Sequence, residues 1–164
     1  MVTRKLAWSL VVIALLFFLS AFMFQGTGQD RVTGVRAHEA WPEGCTLATL
    51  HGTYGAWEQG MFTGQVGPNP PGTQVAIVAI GTLDGAGNIS GTWRGSFSGS
   101  VVPPTPFIGT YTVNPDCTYS DEFSPGGPGF VLHHWGVISD HGNEIHYIYS
   151  DTGTVVSGTL KKSW

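Results

Sequence analysis

Between residues 89 and 97 the chain alternates strictly, with Ile89, Gly91, Trp93, Gly95 and Phe97 separated by Ser90, Thr92, Arg94 and Ser96. A period of two places successive side chains on opposite faces, so this segment predicts a strand with one apolar and one polar face. The run before it, Gln74–Leu83, is nearly continuously apolar and rich in Val and Ile. Such a strand is buried on both sides or lies in the wall of a closed sheet. Asp84-Gly85-Ala86-Gly87-Asn88 joins the two through residues that tolerate positive φ, the composition of a short hairpin connection rather than of a calcium loop.

The same reading continues along the chain. Phe107–Val113 leads through Asn114-Pro115-Asp116 into Cys117–Phe123, and Phe130–Ile138 leads through Asp140–Asn143 into Glu144–Ser150. Thr154–Lys161 closes the series, and His51–Glu58 opens it. That makes about eight strands at hairpin spacing, with no helical period among them. The Pro-rich joints Pro68–Pro71, Pro103–Pro106 and Pro125–Pro128 are expected between strands, where a missing backbone donor does no harm. The pattern predicts an all-β domain, a single antiparallel up-and-down barrel whose closure removes exposed edges. A two-sheet sandwich is the rival. Glycines inside the expected strands, among them Gly55, Gly81, Gly91, Gly95, Gly109 and Gly136, favour the barrel, because glycine lets a narrow sheet coil. Gly-Thr followed by an apolar or aromatic residue recurs at Gly52, Gly81, Gly91, Gly109, Gly153 and Gly158, too irregularly spaced for a repeat.

The N-terminus breaks the pattern. Arg4 and Lys5 precede an apolar run from Leu6 to Phe24 that only Ser9 and Ser20 interrupt. A basic start before a long apolar run reads as an export signal, since the apolar segment must partition into a membrane. Its length lies between a cleaved signal peptide and a spanning anchor helix, so both remain open. Residues 25–40 are polar and without periodicity, a flexible spacer. The expected organisation is a signal peptide or membrane anchor over 1–24, a spacer over 25–40 and the barrel over 41–164. The expected location is the cell exterior, the periplasm or the cell surface, with membrane contact only through the N-terminal segment if it is retained.

Charge then removes one class of partner. From residue 41 on, three basic residues (Arg94, Lys161, Lys162) stand against nine acidic ones, a net charge of −6 with no basic patch. A phosphate backbone needs such a patch, so nucleic-acid binding is excluded. The two cysteines, Cys45 and Cys117, form an even pair, most simply a disulfide in an oxidising compartment. Neither has the basic neighbours that would make a reactive thiolate.

Several segments also carry a resemblance: Cys45…Leu50-x-Gly52-Thr53-Tyr54-Gly55, Gly81-x-Leu83-Asp84-Gly85-x-Gly87-Asn88-x-x-Gly91, Gly109-Thr110-Tyr111-x-Val113-Asn114-x-Asp116-Cys117 and Val155-Val156-Ser157-Gly158-Thr159. Together they resemble a group of secreted bacterial Gly/Thr-rich small β-barrel proteins, of the lipocalin-like and allene oxide cyclase-like barrel type. The shared motifs are glycines, turn residues and the two cysteines. The resemblance therefore implies a fold and a disulfide, and no catalytic residue.

Candidate chemistry is sparse. His133 and His134 would point to opposite faces of one strand and so cannot chelate a metal together, and no H-x-x-x-H or paired Cys/His spacing exists. No metal and no cofactor is expected. Asp121 and Glu122 are adjacent, so one faces inward, and a carboxylate inside an apolar barrel can act as an acid or base. Asp121, Glu122 and His134 are the catalytic candidates. Tyr54, Trp93, Tyr111, His134 and Tyr147 are the inward-facing set expected to line a ligand site. No G-x-S-x-G or phosphate loop is present. The leading expectation is a module binding a small apolar or aromatic ligand. The alternatives are a structural domain with a packed interior and a cofactor-free cyclase or isomerase. A cavity separates the second from the other two.

Overall fold

Alternation of apolar and polar positions builds eight strands: β1 (His51–Phe62), β2 (Gln74–Asp84), β3 (Asn88–Phe97), β4 (Ser100–Val113), β5 (Thr118–Pro125), β6 (Leu132–Ser139), β7 (Glu144–Tyr149) and β8 (Thr154–Lys162). The computed structural model describes residues 44–127 and 129–163, and the leader and spacer lie outside the described residues. Each strand pairs antiparallel with the next, and β8 returns to β1, with Gly55 opposite Lys161 and Gln59 opposite Ser157. The sheet is thus a closed up-and-down barrel and not a sandwich.

Closure decides what the apolar run in β2 means. Val75, Ile77 and Leu83 are buried inside, while Val78 and Ile80 on the same strand are 55% and 56% exposed outside. The run is one wall of the barrel with apolar residues left on its outer face, not a strand covered on both sides. In β3 the predicted alternation holds, with Ile89 buried and Ser90, Thr92 and Arg94 exposed.

The prolines differ from expectation. Pro103, Pro104 and Pro106 lie within β4, and Pro125 ends β5. The β3–β4 register slips between Trp93 and Gly95, which face Thr105 and Val102, so Pro103 and Pro104 fall at a bulge where no ladder donor is required. β5 pairs with β4 only from Phe107 onward, and the Gly126 N–H reaches the Pro106 carbonyl at 3.1 Å, which leaves Ser100–Thr105 outside that ladder. Prolines there blunt an edge that would otherwise invite another chain.

Inside the barrel, glycines make room for rings. A Cβ on Gly158 would stand 2.6 Å from the Tyr147 ring and 2.8 Å from Glu58 Cγ. A Cβ on Gly91 would stand 2.7 Å from the Phe107 ring. These positions let large side chains from neighbouring strands lie flat against the wall.

One end is closed. The hairpins β2–β3, β4–β5 and β6–β7 meet there, and residues 44–50, which include a single 3-10 turn at Leu47–Thr49, fold across it. Cys45 is joined to Cys117, just before β5, by a disulfide closing 72 residues of chain. The Tyr54 hydroxyl donates to the Gly142 carbonyl at 2.7 Å, and the Tyr111 hydroxyl to the Leu50 carbonyl at 2.8 Å. Leu50, Leu83, Tyr54 and Ile145 are fully buried around these bonds.

Candidate ligand-binding cavity

Halfway along the barrel the inner wall turns polar. Glu58 on β1, Asp121 on β5 and His134 on β6 are each at most 6% exposed. A buried charge needs hydrogen bonds or an opposite charge to be tolerated: Glu58 has two tyrosine donors, and Asp121 and His134 have each other. Glu58 receives the Tyr147 hydroxyl at 2.8 Å on one carboxylate oxygen and the Tyr149 hydroxyl at 2.6 Å on the other. Asp121 receives the Tyr119 hydroxyl in a short hydrogen bond, and His134 Nδ1 stands 3.0 and 3.2 Å from its two oxygens. The His134 ring is enclosed by Phe123, Tyr147 and Tyr149, with centroids at 4.7, 4.5 and 4.4 Å.

These contacts settle where protons reside. Burial holds the Tyr119, Tyr147 and Tyr149 phenols well above the usual value of 10, and the carboxylates beside them push the same way, so all three remain donors. For His134, burial works to lower the pKa. The Asp121 charge and hydrogen bond, helped by Glu58 and Asp151, outweigh it, and the net shift is upward from 6.5. The pairing therefore strengthens the imidazole's hold on its second proton, with Nδ1 turned to Asp121.

Above this cluster lies a cavity of about 240 Å³. Glu58, Asp121, His134, Tyr147 and Tyr149 contribute to its wall together with Ala56, Ala79, Trp93, Phe97, Phe107 and Phe123. Phe62 and Val66 line it toward the end opposite the disulfide, where Phe130 of the β5–β6 connection also reaches it. The β1–β2 connection passes over that ring so closely that a Cβ on Gly67 would lie 3.2 Å from it. Among the described residues, three buried side-chain atoms on cavity-lining residues lack a hydrogen-bond partner: Trp93 Nε1, His134 Nε2 and Asp121 Oδ1. The last lies 3.0 Å from the His134 ring nitrogen, so its charge is balanced. The two nitrogens have no counterpart.

Of the five residues expected to line a ligand site, Trp93, His134 and Tyr147 meet in this cavity. Tyr54 and Tyr111 also face inward, but at the closed end, where backbone carbonyls occupy their hydroxyls. Of the adjacent carboxylates, Asp121 faces inward and Glu122 is exposed outside, 3.4 Å from the Thr110 hydroxyl. His133 and His134 do point to opposite faces; His133 pairs outside with Asp151 at 2.8 Å. The cluster's second carboxylate, Glu58, escaped the sequence reading. Its signal was parity: Glu58 lies four residues after Tyr54 on one strand, so an inward Tyr54 implies an inward Glu58. Among the described residues no group of three or more His, Cys, Asp or Glu side chains is placed to hold a metal ion.

No protein-family model matches the chain, and no curated protein matches it. Two solved structures are similar in part. One is a redesigned β-barrel, mFAP1, bound to DFHBI: 17% identity, 71% of this chain and 98% of that chain covered, TM-score 0.44. The other is EF1p2_mFAP2b bound to DFHBI: 14% identity, 70% and 94% covered, TM-score 0.42. Likenesses at this level carry no ligand from one chain to another, and the cavity's own chemistry carries the functional argument.

Proposed function

We propose that this protein binds a small, flat, largely apolar molecule in the centre of its barrel. The observation that carries the reading is the cavity of about 240 Å³, walled by aromatic and aliphatic side chains around a small polar cluster. Apolar pockets with a few placed polar groups are the usual form of small-molecule sites. An apolar cavity of about 150 Å³ already holds a molecule the size of benzene, and drug-sized ligands use about 300 Å³ or more. A one- or two-ring compound fits between those limits. A packed structural interior would lack this space. The disulfide suits an oxidising compartment, and with the basic and apolar N-terminal segment it supports export. Native mass spectrometry on protein purified from its own host tests the reading. A stoichiometric small-molecule adduct that disappears on denaturation is expected. A bare mass, with no thermal stabilisation by any one- or two-ring aromatic compound, would overturn it.

One observation favours a second reading, a cofactor-free isomerase or cyclase. Asp121 holds His134 through Nδ1 and leaves Nε2 without a partner in the cavity wall. That is the geometry in which an imidazole moves a proton to or from a bound substrate. Under this reading His134 is the catalytic residue and Asp121 its positioning residue. His134→Gln would then stop turnover while sparing ligand affinity, whereas parallel loss of both returns His134 to binding alone.

A further inference from the structure

The polar atoms of the cavity wall say more about the ligand than its size does. Both carboxylates are engaged, Glu58 by two tyrosine hydroxyls and Asp121 by a tyrosine hydroxyl and the His134 imidazole. What remains without a partner is two nitrogens, Trp93 Nε1 and His134 Nε2. The indole nitrogen can only donate. His134 Nδ1 lies 3.0 and 3.2 Å from the two oxygens of Asp121, and that carboxylate raises the pKa of the ring, which favours the form whose Nε2 donates as well. Trp93 stands on β3 and His134 on β6, three strands apart around an eight-stranded barrel, and both residues line the cavity, so the two donors belong to different parts of its wall.

We propose that the ligand is a neutral, planar compound with hydrogen-bond acceptors at opposite ends of its ring system, carbonyl or ring-ether oxygens, received by Trp93 Nε1 and His134 Nε2. The inference rests on the ligand-binding reading and specifies its chemistry. An anionic ligand would enter a wall whose two carboxylates outnumber its one imidazole, which Asp121 already holds. A cationic one would have to draw Glu58 from Tyr147 and Tyr149, or Asp121 from His134, and would leave both nitrogens unpaired. A hydrocarbon would leave both donors unpaired, as they already are in the barrel wall, and forgo the hydrogen bonds that an acceptor gains. A neutral acceptor at each end meets none of these penalties.

Calorimetric titration of the oxidised protein with four two-ring probes tests this. Chromone is neutral and has a carbonyl and an ether oxygen across one ring. Naphthalene has no acceptor, 1-naphthoate is an anion and 1-naphthylmethylammonium a cation. Chromone is expected to bind at least tenfold more tightly than the other three. Trp93→Phe, which keeps the ring and removes the N–H, is expected to weaken chromone by roughly tenfold, the size of one hydrogen bond. The same variant should hold naphthalene within about twofold, which also reports that it is folded. If naphthalene matches chromone, or Trp93→Phe weakens both alike, the acceptor inference is wrong while the cavity remains a binding site. Tightest binding by either ion refutes the neutral ligand. If no probe binds, the ligand-binding reading itself fails and takes this inference with it.

Discussion

The two ends of the barrel use the same residue for different ends. All five tyrosines of the chain are buried inside it. At the disulfide end, Tyr54 and Tyr111 donate to backbone carbonyls of Gly142 and Leu50, tying strands to the segment that closes the barrel. In the polar cluster halfway along the barrel, Tyr119, Tyr147 and Tyr149 donate to the carboxylates Asp121 and Glu58. The first arrangement satisfies groups that folding itself would leave unpaired. The second holds ionisable groups inside an apolar wall, which stability alone does not ask for, since well-packed apolar residues serve as well or better. The difference is one of partner: backbone carbonyls at the closed end, buried carboxylates halfway along the barrel.

The largest expected effect touches both ends together. Burial raises the pKa of Tyr54 to about 12 and raises Tyr111 from its usual 10, while the three tyrosines of the polar cluster lie well above 10. An acid whose folded pKa is raised contributes stability that is complete below its unfolded pKa and is lost as pH rises through the folded one. Each tyrosine kept protonated therefore costs about 1.4 kcal/mol per pH unit above 10. Tyrosinate absorbance should stay absent in the folded protein at pH 10 and then appear in one cooperative step with unfolding, below about pH 12. A gradual rise centred on pH 10 would mean that the tyrosines are not sealed.

Next comes a change confined to the closed end. The disulfide closes a loop of 72 residues, worth about 4 kcal/mol on the chain-entropy account. Cys117→Ser should lower the melting temperature by roughly 15 °C in oxidising buffer and hardly at all against reduced wild type. Affinity for chromone should stay within about twofold wherever the variant is folded. If it collapses instead, the two ends are one cooperative unit and the contrast between them is false.

How much of this contrast the sequence showed follows from what determines each part. Alternation in Ile89–Phe97 and the glycine-rich turns made the barrel legible, because period and turn chemistry are local. The inward set from Tyr54 to Tyr147 was legible for the same reason. Its division between a sealed end and an open cavity was not, because that depends on register: Tyr149 meets Glu58 across 91 residues, through strands paired by way of β8. Register also decided between Asp121 and Glu122, where adjacency could say only that one of them faces in. The prolines of β4 misled, because a proline tolerated at a bulge looks the same in sequence as one in a loop.

A smaller effect separates the regions by pH. The His134 pKa is raised in the fold, so its pairing with Asp121 stabilises the protein fully below about pH 6.5 and progressively less as pH rises through the folded value. Wild type should lose thermal stability over that interval, while His134→Gln should be flatter across it. Equal slopes in the two proteins would assign the dependence elsewhere. Tyr54→Phe should leave the slope unchanged, since its hydroxyl meets only a carbonyl.

The smallest effects compare single hydroxyls. Tyr149→Phe removes one of the two donors to the buried Glu58 carboxylate, and hydrogen bonds to charged groups are worth about 1.5–3 kcal/mol. Tyr54→Phe removes a donor from a neutral carbonyl, where about 1 kcal/mol is expected. Stability alone separates these values only narrowly, so the decisive readout is ligand affinity. Tyr149 lines the cavity and its loss frees one oxygen of Glu58 to face the ligand. A cationic probe should then gain on chromone by severalfold, because the freed oxygen offers it the acceptor that the wild-type wall withholds. Tyr54→Phe should leave the ranking of probes as it was. The same change of ranking in both variants would show that the tyrosines act through general packing, and that the two ends of the barrel differ in partner but not in role.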